Sequence, residues 1–179
     1  MKGENMSQQL EHILALNHGE KPECENVDEP QRTLVLFQLA GKNFAFYGAQ
    51  IKEILAERPI SWVPCCAPML EGVINYRGRV ESVMRLDGLI DKPDVNPAGK
   101  RTILIGCAEK MQSGILIDKL IDVLEVTESQ IHLPGDSLPP ALQTIAVGVV
   151  NVAETWFTLL DLNLVFARYQ ETSGYADSH

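Results

Sequence analysis

Gly72-Val73-Ile74-Asn75-Tyr76-Arg77-Gly78-Arg79-Val80 is the stretch on which the fold turns. Apolar residues run into Asn75 and Arg77, and β-branched character resumes at Val80. Residues 72–76 and 80–86 therefore predict two strands joined by a glycine-containing turn, a β-hairpin. Gly72 and Gly78 suit special backbone geometry or the close approach of another segment. Asn75 can tie its side chain to local backbone. Arg77 offers a rigid fork of donors at the hairpin end. From these residues alone two readings stay open: a recognition site in which Arg77 meets a carboxylate or carbonyl, and an ordinary hairpin with a solvated arginine.

Working outward, residues 33–39 are apolar on both faces and read as a buried strand. Residues 40–43 form a turn, because Gly41 and Asn43 tolerate positive φ, and 44–47 return as the second strand. Residues 49–55 form a helical turn or short strand carrying Lys52 and Glu53, and 59–64 are extended around Trp62. Residues 91–100 are a loop by composition. Strands follow at 102–107 and 114–117, around a polar connection at 109–113, and at 120–126. After a loop at 134–140, residues 145–152 and 155–160 pair as a last hairpin. Asp161 then caps a helix running to Tyr169. Nine or ten short strands with frequent turns predict an all-β barrel or sandwich, and closure would deal with exposed strand edges. The chain is long for one five-stranded barrel and suits two packed on a common core.

Residues 1–31 read as an acidic N-terminal extension. Ser7 can cap a short helix in which Leu10, Ile13 and Leu14 share a face, and residues 21–31 have linker composition with Pro22 and Pro30. The helix reads as a tail that packs on its own domain or nowhere, in preference to a docking element for a partner. Residues 32–169 would form the two-barrel body and 170–179 a C-terminal tail.

At 179 residues, with 45% apolar and 22% charged residues, the composition excludes wholesale disorder, a collagen-like fibre and a membrane bundle. No apolar run approaches the roughly 18–20 residues that span a bilayer, so direct membrane insertion is not expected. The first ten residues lack the apolar stretch of a secretory signal, and a cytoplasmic location is the expectation. The net charge of −9 disfavours a nucleic-acid partner. Residues 1–30 alone carry −5 of it, which leaves the body close to balanced.

Cys24, Cys65, Cys66 and Cys107 form no C-x-x-C, and the four histidines lack metal-ligand spacing, so no metal or other cofactor is expected. The nucleophile-elbow, zincin, P-loop and dinucleotide motifs are absent, which favours a non-catalytic binding module. Cys107 reads as a small core hydrophobe.

The Gly72–Val80 stretch resembles the G-V-I-N-L-R-G-x-V signature of the CheW family of bacterial chemotaxis adaptors. Ile51-Lys52-Glu53-Ile54 resembles that family's V-x-E-I turn, and Ile60 to Pro64 with Ala67-Pro68 is similar to its I-x-x-V-P-x-A-P. Gly114 to Asp118 with Ile121 to Leu124, then Gly148-Val149-Val150 and Leu159-Leu160-Asp161-Leu162, match later family motifs in order. Departures are Tyr76 where the family has Leu, Ser82 at a Pro position, Arg85 at an Asp position, and Phe44-Ala45-Phe46 in place of Tyr-Gly-Ile.

The resemblance implies a mainly β fold of two packed five-stranded SH3-like barrels with a few short helices, and no catalysis. It implies two partners, a CheA-type histidine kinase and the cytoplasmic domain of a methyl-accepting chemoreceptor. It places Ile51, Glu53, Asn75, Arg77 and Gly78 on the receptor side, and Ile131, His132 and Ser137 in a kinase-facing loop. Glu53 reads either as a contact residue or as half of a structural salt bridge. Two other functions are weighed against this one. A β-barrel ligand or nucleic-acid binder could stack a base on Trp62 or Trp156, although at least one of the two is expected in the core. A thiol redox protein would use Cys65 or Cys66.

Overall fold

The computed structural model describes residues 29–64, 67–90, 101–109 and 111–172. The expected helix near Ser7, the adjacent cysteines 65 and 66, the 91–100 loop and the tail beyond 172 lie outside the described residues. The described residues hold eleven strands: β1 (Gln31–Leu39), β2 (Lys42–Tyr47), β3 (Ile51–Leu55), β4 (Leu70–Tyr76), β5 (Arg79–Arg85), β6 (Thr102–Ala108), β7 (Met111–Ile117), β8 (Lys119–Thr127), β9 (Ile131–His132), β10 (Ala146–Val152) and β11 (Thr155–Leu160). The helical pieces among the described residues are three short 3-10 turns, a single turn at Pro140–Gln143 and a helix at Leu162–Thr172. Asp161 caps that helix as expected, accepting from the Asn163 N–H at 2.7 Å. The helix runs to Thr172, three residues past the expected end.

The strands form a six-stranded sheet in the order β8-β1-β2-β11-β10-β9 and a five-stranded sheet in the order β3-β6-β7-β5-β4. The sixth strand of the first sheet is the two-residue β9, which the sequence did not signal. Among the described residues neither ladder closes by hydrogen bonds between its outermost strands. Each sheet nevertheless curls, because each buries a core made of its own residues. Leu34, Leu36, Ala45, Val126, Val150, Phe157 and Leu159 form one such core, with Ile131 of β9 packed against it. Leu55, Ile74, Tyr76, Val83, Ile103, Ile105 and Leu116 form the other, drawn from all five strands of the second sheet. A sheet held flat could not bury one face against itself.

A third core joins the two sheets. It takes Val35, Phe37, Phe44 and Phe46 from the first sheet and Met84, Leu104, Ile115 and Ile117 from the second. Leu162, Val165 and Phe166 of the helix complete it. The period-2 alternation of β1 explains the sharing. Leu34 and Leu36 face inward to their own sheet, while Val35, Phe37 and Leu39 face the joint core. Phe37 stacks on Phe46 with ring centroids 5.0 Å apart. Two apolar faces on one strand are what residues 33–39 require.

Two tight turns share one geometry. The pairings Leu39 with Lys42 and Tyr76 with Arg79 each leave a two-residue loop. All four loop residues have positive φ: Ala40 50°, Gly41 73°, Arg77 52° and Gly78 78°. This is the type I′ pattern that matches strand twist. In the first turn the second positive-φ position is Ala40, not the expected Asn43. Asp118 offsets its strain by accepting the Ala40 N–H at 2.7 Å.

Residues 59–64 meet β4 through the antiparallel bridge from Ser61 to Val73. One further expectation is corrected. Neither tryptophan is in a core: Trp62 is 76% exposed just beyond that bridge, and Trp156 is 58% exposed on the outer face of β11. Two of the family departures also find partners. The Ser82 hydroxyl lies 2.9 Å from that of fully buried Ser113, and Arg85 pairs with Asp87 and Glu71.

Gly72 is where the bridge presses closest. A Cβ there would sit 2.4 Å from the Ser61 carbonyl oxygen. Gly72→Ala is expected to destabilise the protein by about 1–3 kcal/mol in urea unfolding. Gly88→Ala, whose Cβ would meet only Met69 Cγ at 3.7 Å, should be nearly neutral. Equal midpoints for the two variants would contradict the packing described.

Candidate functional site

The five-stranded sheet has two outer strands, β3 and β4, and three side chains tie their ends together. Glu53 lies on β3. Tyr76 ends β4 with its ring in the second core and only 9% exposed. The Tyr76 hydroxyl donates to Glu53 Oε2 at 2.7 Å. Arg77 Nη2 donates to the same oxygen at 2.7 Å. The Arg77 guanidinium also lies over the Tyr76 ring, 5.4 Å from its centroid, in cation–π range. Barrel closure at this end thus passes through side chains rather than a backbone ladder.

The type I′ turn aims this group outward. The Gly78 N–H donates to Asn75 Oδ1 at 3.0 Å, the local backbone tie expected of Asn75. Arg77 holds positive φ, a conformation that a bulky residue adopts only when its surroundings impose it. Its side chain is 73% exposed while that of Glu53 is 32% exposed. Only one of its nitrogens is committed to Glu53, so most of the fork faces solvent.

Hydrogen bonding shifts both acids of the group. The Tyr76 hydroxyl first, then the Arg77 hydrogen bond and charge with help from Arg58, hold the Glu53 carboxyl below the usual range against desolvation. The same bond to Glu53 raises the Tyr76 phenol above its ordinary value. The signs follow. The Glu53 contribution to stability is complete above the carboxylate's unfolded pKa and is lost as pH falls through its depressed folded value. The Tyr76 contribution is complete below the phenol's ordinary pKa and is lost as pH rises through its raised value.

Glu53, Asn75, Arg77 and Gly78 are brought together; Ile51 is not. The register between β3 and β6 slips between Ile51 and Glu53, a bulge at Lys52. Ile51 therefore packs against the joint core, whereas Glu53 shares a face with Leu55 of the second core. Lys52 points outward and donates to Gln112 Oε1 at 2.6 Å, and Gln112 donates in turn to Glu81 at 2.7 Å.

The expected kinase-facing residues diverge. Ile131 packs against the core of the six-stranded sheet. His132 is exposed, with its ring 6.2 Å from that of Trp156. Ser137 is exposed farther along the loop, and Leu133 is 87% exposed beside His132. Ile131 also lines an open cleft of about 730 Å³ with Arg32, Tyr47, Gln50 and Glu128. Sequence reasoning missed Tyr76 as a functional residue because it read only as a departure from Leu. From the sequence Trp156 reads only as a core residue or a base-stacking ring, because a tryptophan in an alternating strand does not reveal its face. Among the described residues no group of three metal-ligating side chains exists, and Cys107 is half-buried in β6. No helix among them is long and apolar enough to cross a membrane.

Tyr76→Phe keeps the ring and removes the hydroxyl. Carbon-detected carboxyl titration should then show Glu53 titrating at higher pH than in the wild type, while the hairpin keeps its shape. An unchanged titration would remove Tyr76 from the group.

A family model, the CheW-like domain, matches residues 33–170, nearly the whole of the described body. The chain is 25% identical over 144 residues to the chemotaxis protein CheW of Bacillus subtilis, covering 80% of this chain and 92% of that protein. It is 22% identical over 150 residues to a probable chemotaxis protein CheW of Rhizobium etli, covering 84% and 97% respectively. It is also 27% identical over 128 residues to protein PilI of Pseudomonas aeruginosa, covering 67% of each. The crystal structure of the scaffolding protein TtCheW from Thermoanaerobacter tengcongensis shares the fold, with a TM-score of 0.66 at 18% identity over 74% of this chain and 90% of that one. The chain belongs to the CheW-like family, whose members are non-catalytic scaffolding adaptors of chemotaxis.

Proposed function

We propose that this protein couples the cytoplasmic tip of a methyl-accepting chemoreceptor to a CheA-type histidine kinase, and does so in the cytoplasm. The observation that carries the reading is the outward presentation of Arg77. It stands at the exposed tip of the hairpin, in a braced left-handed turn, with one nitrogen fixed by Glu53 and the rest of its fork directed to solvent. A turn that serves packing alone needs no arginine at positive φ. Asn75 and Gly78 hold the turn, Glu53 sets the angle of the guanidinium, and Ile51 supports β3 from the joint core.

The kinase side is assigned to the opposite sheet, around Ile131, His132 and Ser137. There His132 and Trp156 form an exposed ring pair beside Leu133. Such a patch supplies aromatic and apolar anchors, the residue types that dominate small interfaces. Modest contacts of this kind add up through multivalency in an array.

Co-sedimentation with a CheA-type kinase and a receptor signalling fragment from the same organism tests the reading. Wild-type protein should join both, and binding to neither partner would overturn it. Arg77→Glu should weaken receptor coupling about tenfold or more while the protein stays folded and kinase capture is retained, the lost pair with Glu53 lowering the thermal midpoint by only a few degrees. Unchanged coupling would remove Arg77 from the receptor side. Leu133→Asp should show the converse pattern, with kinase capture reduced severalfold and receptor capture retained.

A further inference from the structure

The chain carries a net charge of −9, yet the end of the five-stranded sheet gathers cations. A hollow of about 460 Å³ opens there, lined by Lys52, Tyr76, Arg77, Arg79 and Gln112. Three of these five residues are cationic, each from a different place: Lys52 from the bulge in β3, Arg77 from the turn, and Arg79 from the start of β5. Their local neutralisation is incomplete. Arg77 commits one nitrogen to Glu53, Lys52 donates to the uncharged Gln112, and Arg79 has no acidic partner among the described residues. Glu81, the other nearby acid, accepts from the neutral Gln112 amide and keeps its charge, which leaves three cations facing two carboxylates.

We propose that this hollow receives carboxylate side chains presented by a protein partner, a claim that rests on the receptor-side reading of the same site and names its chemistry. Arg77 already displays the binding mode, since one planar carboxylate, that of Glu53, lies within 2.7 Å of its fork. A second carboxylate could use the donors that Glu53 leaves free, with Arg79 and Lys52 on either side. Tyr76 is the positioning residue. Its hydroxyl fixes the carboxylate that holds the guanidinium, and its ring lies beneath the cation. The size of the hollow falls within the roughly 300–1,000 Å³ span of small-ligand pockets. Its wall, however, is made of long exposed side chains around a single aromatic ring, and cannot enclose a free small molecule as such pockets do. A polyphosphate backbone is disfavoured by the charge of the rest of the chain. Carboxylates borne on another protein's surface fit both constraints.

Two helical peptides of equal length test the proposal, one with glutamates along one face and the other with glutamines at the same positions. In nitrogen-15 NMR titrations the glutamate peptide should shift the signals of Lys52, Tyr76, Arg77 and Arg79. It should bind at least about tenfold more tightly than the glutamine peptide, with affinity falling as salt is raised. Arg79→Glu and Lys52→Glu should each weaken it about tenfold with unchanged thermal midpoints. Equal binding of the two peptides, unaltered affinity in both variants, or preferential binding of a single-stranded oligonucleotide would overturn the proposal. Receptor-fragment capture separates this claim from the adaptor reading. Equal capture by wild type and Arg79→Glu overturns the carboxylate site and leaves the adaptor standing. Peptide discrimination by a wild type that captures neither receptor nor kinase overturns the adaptor reading and leaves the carboxylate site.

Discussion

Strands β1 and β2 must bury both of their faces, and the architecture follows from that constraint. One face of each closes the core of the six-stranded sheet, and the other meets the five-stranded sheet. Phe37, Phe44 and Phe46 fill the space between, all within 1% of full burial. Each such ring contributes roughly 1.5–3 kcal/mol of burial. Neither sheet has enough apolar surface for a large core of its own, so the joint core makes one unit of two small ones. The helix at Leu162–Thr172 covers its remaining side through Leu162, Val165 and Phe166.

With the far side of each sheet fixed, the strand ends are left for function. At the end of the second sheet the edges β3 and β4 meet through Glu53, Tyr76 and Arg77. A backbone ladder there would hold the edges more rigidly. The side-chain closure does two things at once: it joins the edges, and it leaves a guanidinium facing outward. Of the two readings of Glu53, the structural one is seen directly, since its carboxylate holds both Tyr76 and Arg77. The bulge at Lys52 contributes by turning Ile51 into the joint core and Lys52 out toward the rim.

Much of the fold was legible because hydrophobic periodicity and turn residues are local signals. The two-faced character of residues 33–39 announced a buried strand, and β1 has both faces in cores. The Arg77-Gly78 turn and the Asp161 cap were readable for the same reason. Features that depend on tertiary contact were not legible. Ala40 takes positive φ in a two-residue turn, and the Asp118 carboxylate that accepts its N–H lies far off in sequence. The two-residue β9 exists only through its pairing with Val149 and Val150. Trp62 and Trp156 carry the composition of core residues, and only the register shows them exposed. At the site, Arg77, Asn75 and Gly78 came from a contiguous motif. The hydroxyl of Tyr76 joined them across 23 residues of sequence, a link no local pattern encodes.

The proposed receptor end lies on the five-stranded sheet and the proposed kinase end on the six-stranded one, and site-specific photo-crosslinking reads that division directly. Val80, 77% exposed beside the hairpin turn, and Trp156, 58% exposed beside His132, are suitable positions for a photoreactive side chain. In a reconstituted mixture of adaptor, CheA-type kinase and receptor fragment, position 80 should capture the receptor fragment and position 156 the kinase. Capture of the kinase from position 80, or of the receptor from position 156, would contradict the assignment of the two ends.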